Sequence, residues 1–226
     1  MIYNNHMNKV VPTKPLLILL YGFPGAGKTC FARQLCEHLQ AAHVYDDRIR
    51  HELFDKPRYD KQENTIVTQL MEYMTGEFLG AGLSVVYDVN AIRLSQRRLL
   101  RDLAHKTKAQ PLLIWVQIDV ESAFARIAGR DRRKADDRLA MPLDRTTFDS
   151  IISHMQNPET AEDYIVISGK HTYTTQQSAI MKRLRELGLT QPVDNNTKVI
   201  RPDLVNLIPN PIAGRFDLSR RNIVIR

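Results

Sequence analysis

Residues Leu16 to Thr29 read LLILLYGFPGAGKT, an apolar run that passes directly into a glycine-rich loop. The run Leu16 to Tyr21 is continuously apolar, which is typical of a central strand buried on both faces. Phe31, Leu35 and Leu39 follow at helical spacing, so an amphipathic helix begins where the loop ends. The loop matches the pattern G-x-x-x-x-G-K-[S/T] at every required position with Gly22, Phe23, Pro24, Gly25, Ala26, Gly27, Lys28 and Thr29.

This loop predicts a binding site for a nucleoside triphosphate. Its glycines let the backbone curl so that successive N–H groups point at phosphate oxygens, and the positive end of the following helix adds to the same site. Lys28 supplies a charge for the β- and γ-phosphates, and the Thr29 hydroxyl can ligate Mg²⁺. We therefore expect ATP and Mg²⁺ as ligands, with Cys30 continuing the ATP-binding segment that begins at Gly22.

The rest of the chain alternates short apolar runs with amphipathic helices, which is typical of an α/β fold with a parallel sheet. We predict a P-loop NTPase-type three-layer fold with a five-stranded parallel sheet and a mobile lid. One long helix is expected to bury a stripe from Ile66 to Phe78, and another to turn Leu99 inward, with Trp115 in the core. The predicted strands are Leu16–Tyr21, Ala42–Tyr45, Ser84–Tyr87, Leu112–Ile118 and Asp163–Ser168.

Composition and charge limit the class of protein. The chain has 226 residues, 43% of them apolar and 25% charged, so it is long enough for one globular domain with appendages. The polar start from Met1 to Lys14 has no signal-peptide core, and the apolar runs are shorter than the roughly 20 residues of a membrane helix. Cys30 and Cys36 lie in one predicted helix at a spacing that does not pair them. We expect a cytoplasmic protein that does not contact a membrane.

Acidic and basic residues follow the second predicted strand at the sheet edge where such folds bind ligands. In Asp46-Asp47-Arg48-Ile49-Arg50, a carboxylate can accept the proton of an acceptor hydroxyl, and Arg50 can bind an anionic acceptor. Asp47 is the favoured general base. The alternative is that Asp46 or Asp47 only caps the following helix.

The remaining motifs favour phosphoryl transfer over GTPase switching or mechanical work. A GTPase would carry an N-K-x-D motif after a later strand, and the sequence has none. A mechanical ATPase needs adjacent acids at the end of a strand, but the third strand ends in Tyr87-Asp88-Val89-Asn90 with one acid. A nucleotide-binding or hydrolytic module without an acceptor remains as the alternative from another class.

Four motifs together carry a resemblance to a known family. They are Gly22 to Thr29, Asp47-x-x-Arg50, Asp88-x-Asn90 followed by Arg97-Arg98, and Arg126-x-x-x-Arg130. This set resembles the P-loop kinase domain of phage-type polynucleotide 5′-kinases and the related bacterial predicted kinases of the AAA-like ATPase family. It is similar, more distantly, to the zeta-toxin and chloramphenicol phosphotransferase kinases.

The resemblance implies a role for each matched residue. It implies Asp47 as general base, Arg50 as the residue that holds the acceptor's phosphate, and Arg130 as the lid arginine beside the transferring phosphoryl group. It implies that Asp88 orients Arg50 or a Mg²⁺-bound water and that Asn90 lies with it on the acceptor side. Arg126 is expected to contact the nucleotide.

Two basic regions bear on the acceptor. The stretch from Arg126 to Arg138 is rich in cations and is expected to work as a lid over the reaction, or else to be a solvated charged loop. The stretch from Arg93 to Lys108 either tracks a nucleic-acid backbone or is a solvated helix face. The net charge of +7 favours phosphate-rich partners without identifying one.

The sequence therefore predicts an ATP-dependent kinase whose favoured acceptor is a nucleic-acid 5′-hydroxyl. The alternatives are a small-molecule or sugar-nucleotide kinase and an ATPase module without an acceptor. The predicted organisation is an N-terminal tail over 1–15, a P-loop kinase domain over 16–189 with its lid at about 129–145, and a C-terminal arm over 190–226. The arm is expected to dock on the domain or on a partner chain, with a disordered basic tail as the alternative. The oligomeric state is not assigned.

Overall fold

A parallel β-sheet forms the centre of the computed structural model, which describes residues 9–90, 92–131, 133 and 138–190. Its strands are β1 (Leu16–Tyr21), β2 (Ala41–Tyr45), β3 (Ser84–Asn90), β4 (Gln110–Gln117) and β5 (Tyr164–Ser168). They pair in the order β2-β3-β1-β4-β5, and each pair is parallel. The predicted fold class and all five predicted strands are therefore confirmed, with boundaries that move by a few residues.

Helices connect these strands within the described residues, as a parallel sheet requires. They are α1 (Lys28–His38), α2 (Asp46–Leu53), α3 (Lys61–Gly80), α4 (Leu94–Lys106), α5 (Val120–Ala128), α6 (Arg145–Ser153) and α7 (Tyr173–Glu186), with a 3₁₀ turn at Thr160–Glu162. Asp60, Asp119 and Asp144 start α3, α5 and α6 by accepting a backbone N–H three residues on. None of the described helices is long and apolar enough to cross a membrane.

The core consists of two apolar layers, one on each face of the sheet. Every residue of β1 is buried. Leu16, Ile18 and Leu20 pack with residues of α1 and α7, whereas Leu17 and Leu19 pack with residues of α3 and α4. Since successive strand residues point to opposite faces, this alternation gives the three-layer arrangement that the sequence predicted.

Two details of the predicted core are wrong, and a third differs in degree. The buried stripe of α3 runs through Glu63, Val67, Met71, Thr75 and Leu79, one position away from the predicted stripe, and Ile66 is 41% exposed. Leu99 is 65% exposed. Trp115 packs against the apolar layer that contains Leu17 and Leu19, but it is only partly buried and also lines a surface cavity. Polar residues inside the buried stripe of α3 hid its true phase from the hydrophobic pattern.

Several predictions fall on residues that the structure leaves out. Residues 132 and 134–137 of the predicted lid, 1–8 of the predicted N-terminal tail and 191–226 of the predicted C-terminal arm lie outside the described residues. The domain boundaries, the lid motion and the docking of the arm therefore stay predictions.

Candidate active site

The glycine-rich loop between β1 and α1 has a backbone that only glycine fits at two points. Gly22 and Gly25 have φ angles of 148° and 81°. A Cβ on Gly22 would lie 2.4 Å from the carbonyl oxygen of Val116, and one on Gly25 would lie 2.2 Å from that of Ala123. The loop is therefore pressed against β4 and α5 and held in a curled form, which suits backbone N–H groups that converge on a phosphate.

Lys28 begins α1 and turns its ammonium group back over the loop. Its Nζ donates hydrogen bonds to the carbonyl oxygens of Gly22 and Phe23, each at 2.9 Å. Burial lowers the pKa of Lys28 to about 8, while the carboxylates of Asp88 and Asp46 act in the opposite direction. The loop thus holds a cation at its concave side. Phosphate oxygens of a bound triphosphate would replace the two carbonyl oxygens as its hydrogen-bond acceptors.

Thr29, Asp88 and His43 form a chain of polar contacts beside the loop. The Thr29 hydroxyl donates to Oδ1 of Asp88 at 3.4 Å, and Nε2 of His43 lies 2.9 Å from Oδ2 of the same carboxylate. The pairing of β1 with β3 is irregular beside Asp88, because Leu19 pairs with Tyr87 but Leu20 pairs with Asn90. Asp88 thus lies at the break in this register, next to the phosphate loop.

The oxygens of Thr29 and Asp88 fit a magnesium ion. Mg²⁺ prefers hard oxygen ligands and is bound by one or two carboxylates together with substrate phosphates. Among the described residues, no group of three or more His, Cys, Asp and Glu side chains could enclose a metal by itself. The site therefore suits a metal ion that arrives with the triphosphate.

Asp46 and Asp47 form the first turn of α2, which starts directly after β2. Tyr45 occupies the N-cap position, and no side-chain hydrogen bond caps this helix in the described part of the chain. Oδ1 of Asp46 accepts the Asp47 N–H at 2.8 Å, and the Tyr45 hydroxyl donates to Oδ2 of Asp47 at 3.3 Å. Neither aspartate occupies the cap position that the alternative interpretation required.

Both carboxyl groups are partly buried, and their pKa values rise as a result. Burial and the neighbouring carboxylates of Asp47 and Asp88 raise the pKa of Asp46 to about 8. Burial also raises the pKa of Asp47, against the hydrogen bond from Tyr45 and the charge of Arg50. A raised pKa makes the ionised carboxylate of Asp47 a stronger proton acceptor than a solvated carboxylate.

Arg50 is buried inside a network of its own, with 4% of its surface exposed. Its NH1 group donates to Oε2 of Glu63 at 3.3 Å, and its NH2 group donates to Oδ1 of Asn64 at 2.7 Å. The guanidinium carbon lies 4.7 Å from the centre of the Tyr59 ring. Protein groups thus occupy both terminal nitrogens of the arginine that the sequence assigned to the acceptor.

Arg126 and Arg130 lie at the beginning of the predicted lid. NH1 of Arg126 donates to the carbonyl oxygen of Gly169 at 3.0 Å, and NH1 of Arg130 donates to that of Met141 at 3.1 Å. Gly169 follows β5, so Arg126 links α5 to that strand next to the phosphate loop. Both arginines line the same cleft as Lys28.

One cleft of about 720 Å³ collects most of the predicted site. It also contains residues that the sequence did not indicate, among them Tyr45, Tyr59 and Asn64. Tyr45 could have been found from its place at the end of β2, but no motif marks the other two. Gly22, Phe23 and Ala26 are predicted residues that do not line the cleft. The predicted residues that line it are Pro24, Gly25, Gly27, Lys28, Thr29, Cys30, Asp47, Arg50, Asp88, Asn90, Arg126 and Arg130.

A curled phosphate loop at the end of a central parallel strand, with acids at the ends of its neighbours, defines a P-loop nucleotide-binding domain of the kinase-like type. The AAA domain family matches residues 17–158, and the chain belongs to that family. No curated protein matches the chain in sequence. This match is to the broader family and does not single out the phage-type polynucleotide kinases that the motifs resemble.

Solved structures share the fold at low sequence identity. Kti12 from Chaetomium thermophilum in complex with ADP-AlF3 is 17% identical with a TM-score of 0.57, covering 75% of this chain and 97% of that one. The Mycobacterium tuberculosis APS kinase in complex with AMPPNP and APS is 16% identical with a TM-score of 0.56, covering 76% and 98%. A gluconokinase from Sinorhizobium meliloti is 15% identical with a TM-score of 0.55, covering 76% and 93%. At these identities the likeness establishes the fold alone.

Proposed function

We propose that this protein is an ATP-dependent phosphotransferase that acts on a hydroxyl group. The observation that carries the proposal is that one cleft is lined both by the phosphate-loop residues Lys28 and Thr29 and by the partly buried carboxyl groups of Asp46 and Asp47. Kinases require these two parts side by side, a cradle for the triphosphate and a proton acceptor for the attacking hydroxyl. The nucleotides bound to Kti12 and to the APS kinase support the same use of the fold.

The roles follow from the places of the side chains. The loop N–H groups and Lys28 hold the triphosphate. The oxygen of the acceptor hydroxyl attacks the γ-phosphorus, and Asp47 accepts the proton of that hydroxyl. The bond from that phosphorus to the β–γ bridging oxygen breaks, and ADP leaves with the electron pair. Arg130 offers its charge to the transferring group, and Arg126 lies where it can contact the nucleotide. Thr29 and Asp88 would hold Mg²⁺, which neutralises phosphate charge when it is bound.

Two acceptor classes have support of different kinds. The net charge of +7 and the exposed side chains of Arg93 and Arg98, which follow Asn90 in sequence, support a nucleic-acid 5′-hydroxyl. Arg97 from the same stretch is 0% exposed, so it contributes nothing to such a surface. The gluconokinase and the APS kinase among the structural neighbours support a small-molecule acceptor.

Acceptor-dependent release of ADP tests the proposal. The full chain is incubated with Mg²⁺ and ATP labelled at the γ-phosphate, first alone and then with oligonucleotides bearing 5′-hydroxyl ends or with pooled metabolites. We expect one acceptor class to raise ADP release and to gain the label. Hydrolysis that no acceptor accelerates would instead identify an ATPase module. Loss of the reaction with rising salt would favour an oligonucleotide over a neutral small molecule.

A further inference from the structure

The acceptor end of the cleft contains polar atoms that the protein leaves without partners. Both the side-chain nitrogen and the side-chain oxygen of Asn90 are buried and have no hydrogen-bond partner among the described residues. Nε of Arg50 is buried and equally unsatisfied within that part of the chain. Buried polar groups are nearly always paired in folded proteins. Unpaired polar atoms on residues that line a cleft therefore indicate which hydrogen-bond partners a ligand would supply.

Asn90 specifies a group that both donates and accepts. Its amide nitrogen needs an acceptor, and its amide oxygen needs a donor. A hydroxyl group supplies both, because it carries one hydrogen and two lone pairs. A phosphate dianion supplies acceptors alone and would leave the Asn90 oxygen buried and unpaired.

Both terminal nitrogens of Arg50 are engaged by protein groups. NH1 donates one N–H to Glu63 and NH2 donates one N–H to Asn64, so a phosphate would have to compete with these two partners for the guanidinium. Glu63 is fixed as an anion, since it also accepts the backbone N–H groups of Arg58 and Tyr59. Its charge therefore offsets that of Arg50, and Nε is the guanidinium nitrogen that has no partner among the described residues.

Carboxyl groups also lie at this end of the cleft. The side chains of Asp46, Asp47 and Asp88 line the cleft beside Arg50, whose own charge is paired with Glu63. Lys28 is committed to the phosphate loop through Gly22 and Phe23. A phosphate ester next to the reacting hydroxyl would lie beside the carboxyl groups of Asp47 and Asp88, whereas Arg126 and Arg130, which line the same cleft, donate to carbonyl oxygens of the protein.

We propose that Asn90 and Nε of Arg50 bind a second, neutral hydroxyl of the acceptor beside the one that Asp47 deprotonates, so that the acceptor is an uncharged polyol. This inference rests on the proposed function and names its substrate class. A ring of Tyr59 flanks the same site and suits the apolar face of a sugar. A nucleic-acid end, which carries a phosphodiester near its reacting sugar, is the competing outcome.

Binding is measured here without turnover, and the ADP-release assay described above measures phosphorylation of the same probes. The probes are glycerol, D-glucose and myo-inositol, each paired with a phosphorylated counterpart, and an oligonucleotide with a 5′-hydroxyl end. Each is added to the full chain with Mg²⁺ and a non-hydrolysable ATP analogue, and thermal stability and calorimetric binding are recorded. We expect at least one neutral polyol to bind and to raise Tm, and its phosphorylated counterpart to bind about tenfold more weakly or not at all.

Asn90→Leu is the decisive variant, because it keeps the size of the side chain and removes both polar atoms. It should not lower the Tm of the free protein, since the amide it replaces is unpaired, but it should weaken polyol binding about tenfold or more with ATP-analogue binding unchanged. Asn157→Leu is the control. Its side-chain oxygen accepts the Tyr21 hydroxyl outside the cleft, so this change should lower Tm and leave polyol binding intact.

Three results would overturn the inference, namely no binding of any polyol probe, equal binding by Asn90→Leu, or preference for a phosphorylated probe or the oligonucleotide. Failure of the proposed function has a different signature, because a polyol would then bind in an Asn90-dependent way without becoming phosphorylated by ATP.

Discussion

Nε2 of His43 lies 2.9 Å from Oδ2 of Asp88, on the neighbouring strand. The other oxygen of this carboxylate accepts the Thr29 hydroxyl, so Asp88 is held between the phosphate loop and the imidazole. The ring of Tyr45 stacks on that of His43 with 5.5 Å between their centres and 3° between their planes. His43 is therefore a positioning residue that fixes the direction in which Asp88 faces Thr29.

Replacing His43 tests this positioning role. We expect His43→Leu to lower kcat about tenfold and to raise the Mg²⁺ concentration needed for half-maximal rate, since outer hydrogen-bond partners of metal ligands typically contribute that much. His43→Gln retains an N–H donor and should recover most of the loss. Steady-state rates over a Mg²⁺ titration provide the measurement. Equal magnesium dependence for wild type and His43→Leu would show that His43 does not position Asp88.

Lys28 should be indispensable for turnover. Lys28→Met keeps the length of the side chain and removes the cation that faces the phosphate loop, so we expect ATP turnover to fall by about 10²-fold or more. The fold should survive, because the partly buried ammonium donates to loop carbonyls and forms no ion pair that any described residue completes. Lys170→Met is the control, since that lysine pairs with Asp119 at an exposed site. Wild-type turnover by Lys28→Met would show that this loop is not the catalytic phosphate site.

Asp47→Asn should separate nucleotide binding from transfer. The amide keeps the shape of the carboxylate and can still accept the Tyr45 hydroxyl, but it cannot take the acceptor's proton. We expect ATP binding to stay near that of wild type and transfer to fall by about 10²-fold or more. Calorimetry with an ATP analogue and an acceptor assay measure the two effects. Asp102→Asn, an exposed change on α4, controls for the loss of one negative charge. Normal transfer by Asp47→Asn would show that Asp47 is not the proton acceptor.

The parts of the fold that the sequence predicted well are those with strong local signals. The continuous apolar run Leu16–Tyr21 and the glycine pattern after it define β1, the phosphate loop and the start of α1. A central strand requires apolar residues on both faces, and a phosphate-binding loop requires a backbone that can curl. The acids at Asp47 and Asp88 could be placed in one cleft because the carboxyl ends of parallel strands share a sheet edge.

The parts that failed depend on contacts between distant segments. Nothing local distinguishes Arg97, which is fully buried, from exposed Arg98 beside it. His43 carries no metal-binding spacing, and its significance comes from Asp88 on the next strand. The pairing of Arg50 with Glu63 likewise joins α2 to α3. A basic residue read from sequence alone suggests a free cation, although a buried partner elsewhere in the chain can already neutralise it.

The buried ion pair of Arg97 and Glu162 makes a strong prediction about stability. Nε and NH2 of Arg97 donate to the two carboxylate oxygens of Glu162, each at 2.8 Å, and NH1 donates to the Gln156 carbonyl at 3.0 Å. Arg97→Met leaves the carboxylate buried without its partner, so we expect unfolding free energy to drop by about 3–5 kcal/mol. Adding Glu162→Gln should recover a substantial part of that loss. Urea denaturation measures both. Additive losses in the double variant would argue against a direct pair.

The same pair gives stability a pH dependence of definite sign. Although burial alone would raise it, the hydrogen bonds from Arg97 and from the Glu159 N–H hold the pKa of Glu162 below its ordinary value of 4.5. A carboxyl group whose pKa is depressed by folding stabilises the protein above its unfolded pKa, and this contribution is lost as pH falls through the folded pKa. We therefore expect the wild-type free energy of unfolding to decline from about pH 4.5 downward. Glu162→Gln cannot titrate, so its decline over the same window should be shallower, as measured by urea denaturation at a series of pH values. Parallel curves for the two proteins would mean that Glu162 is not the group responsible.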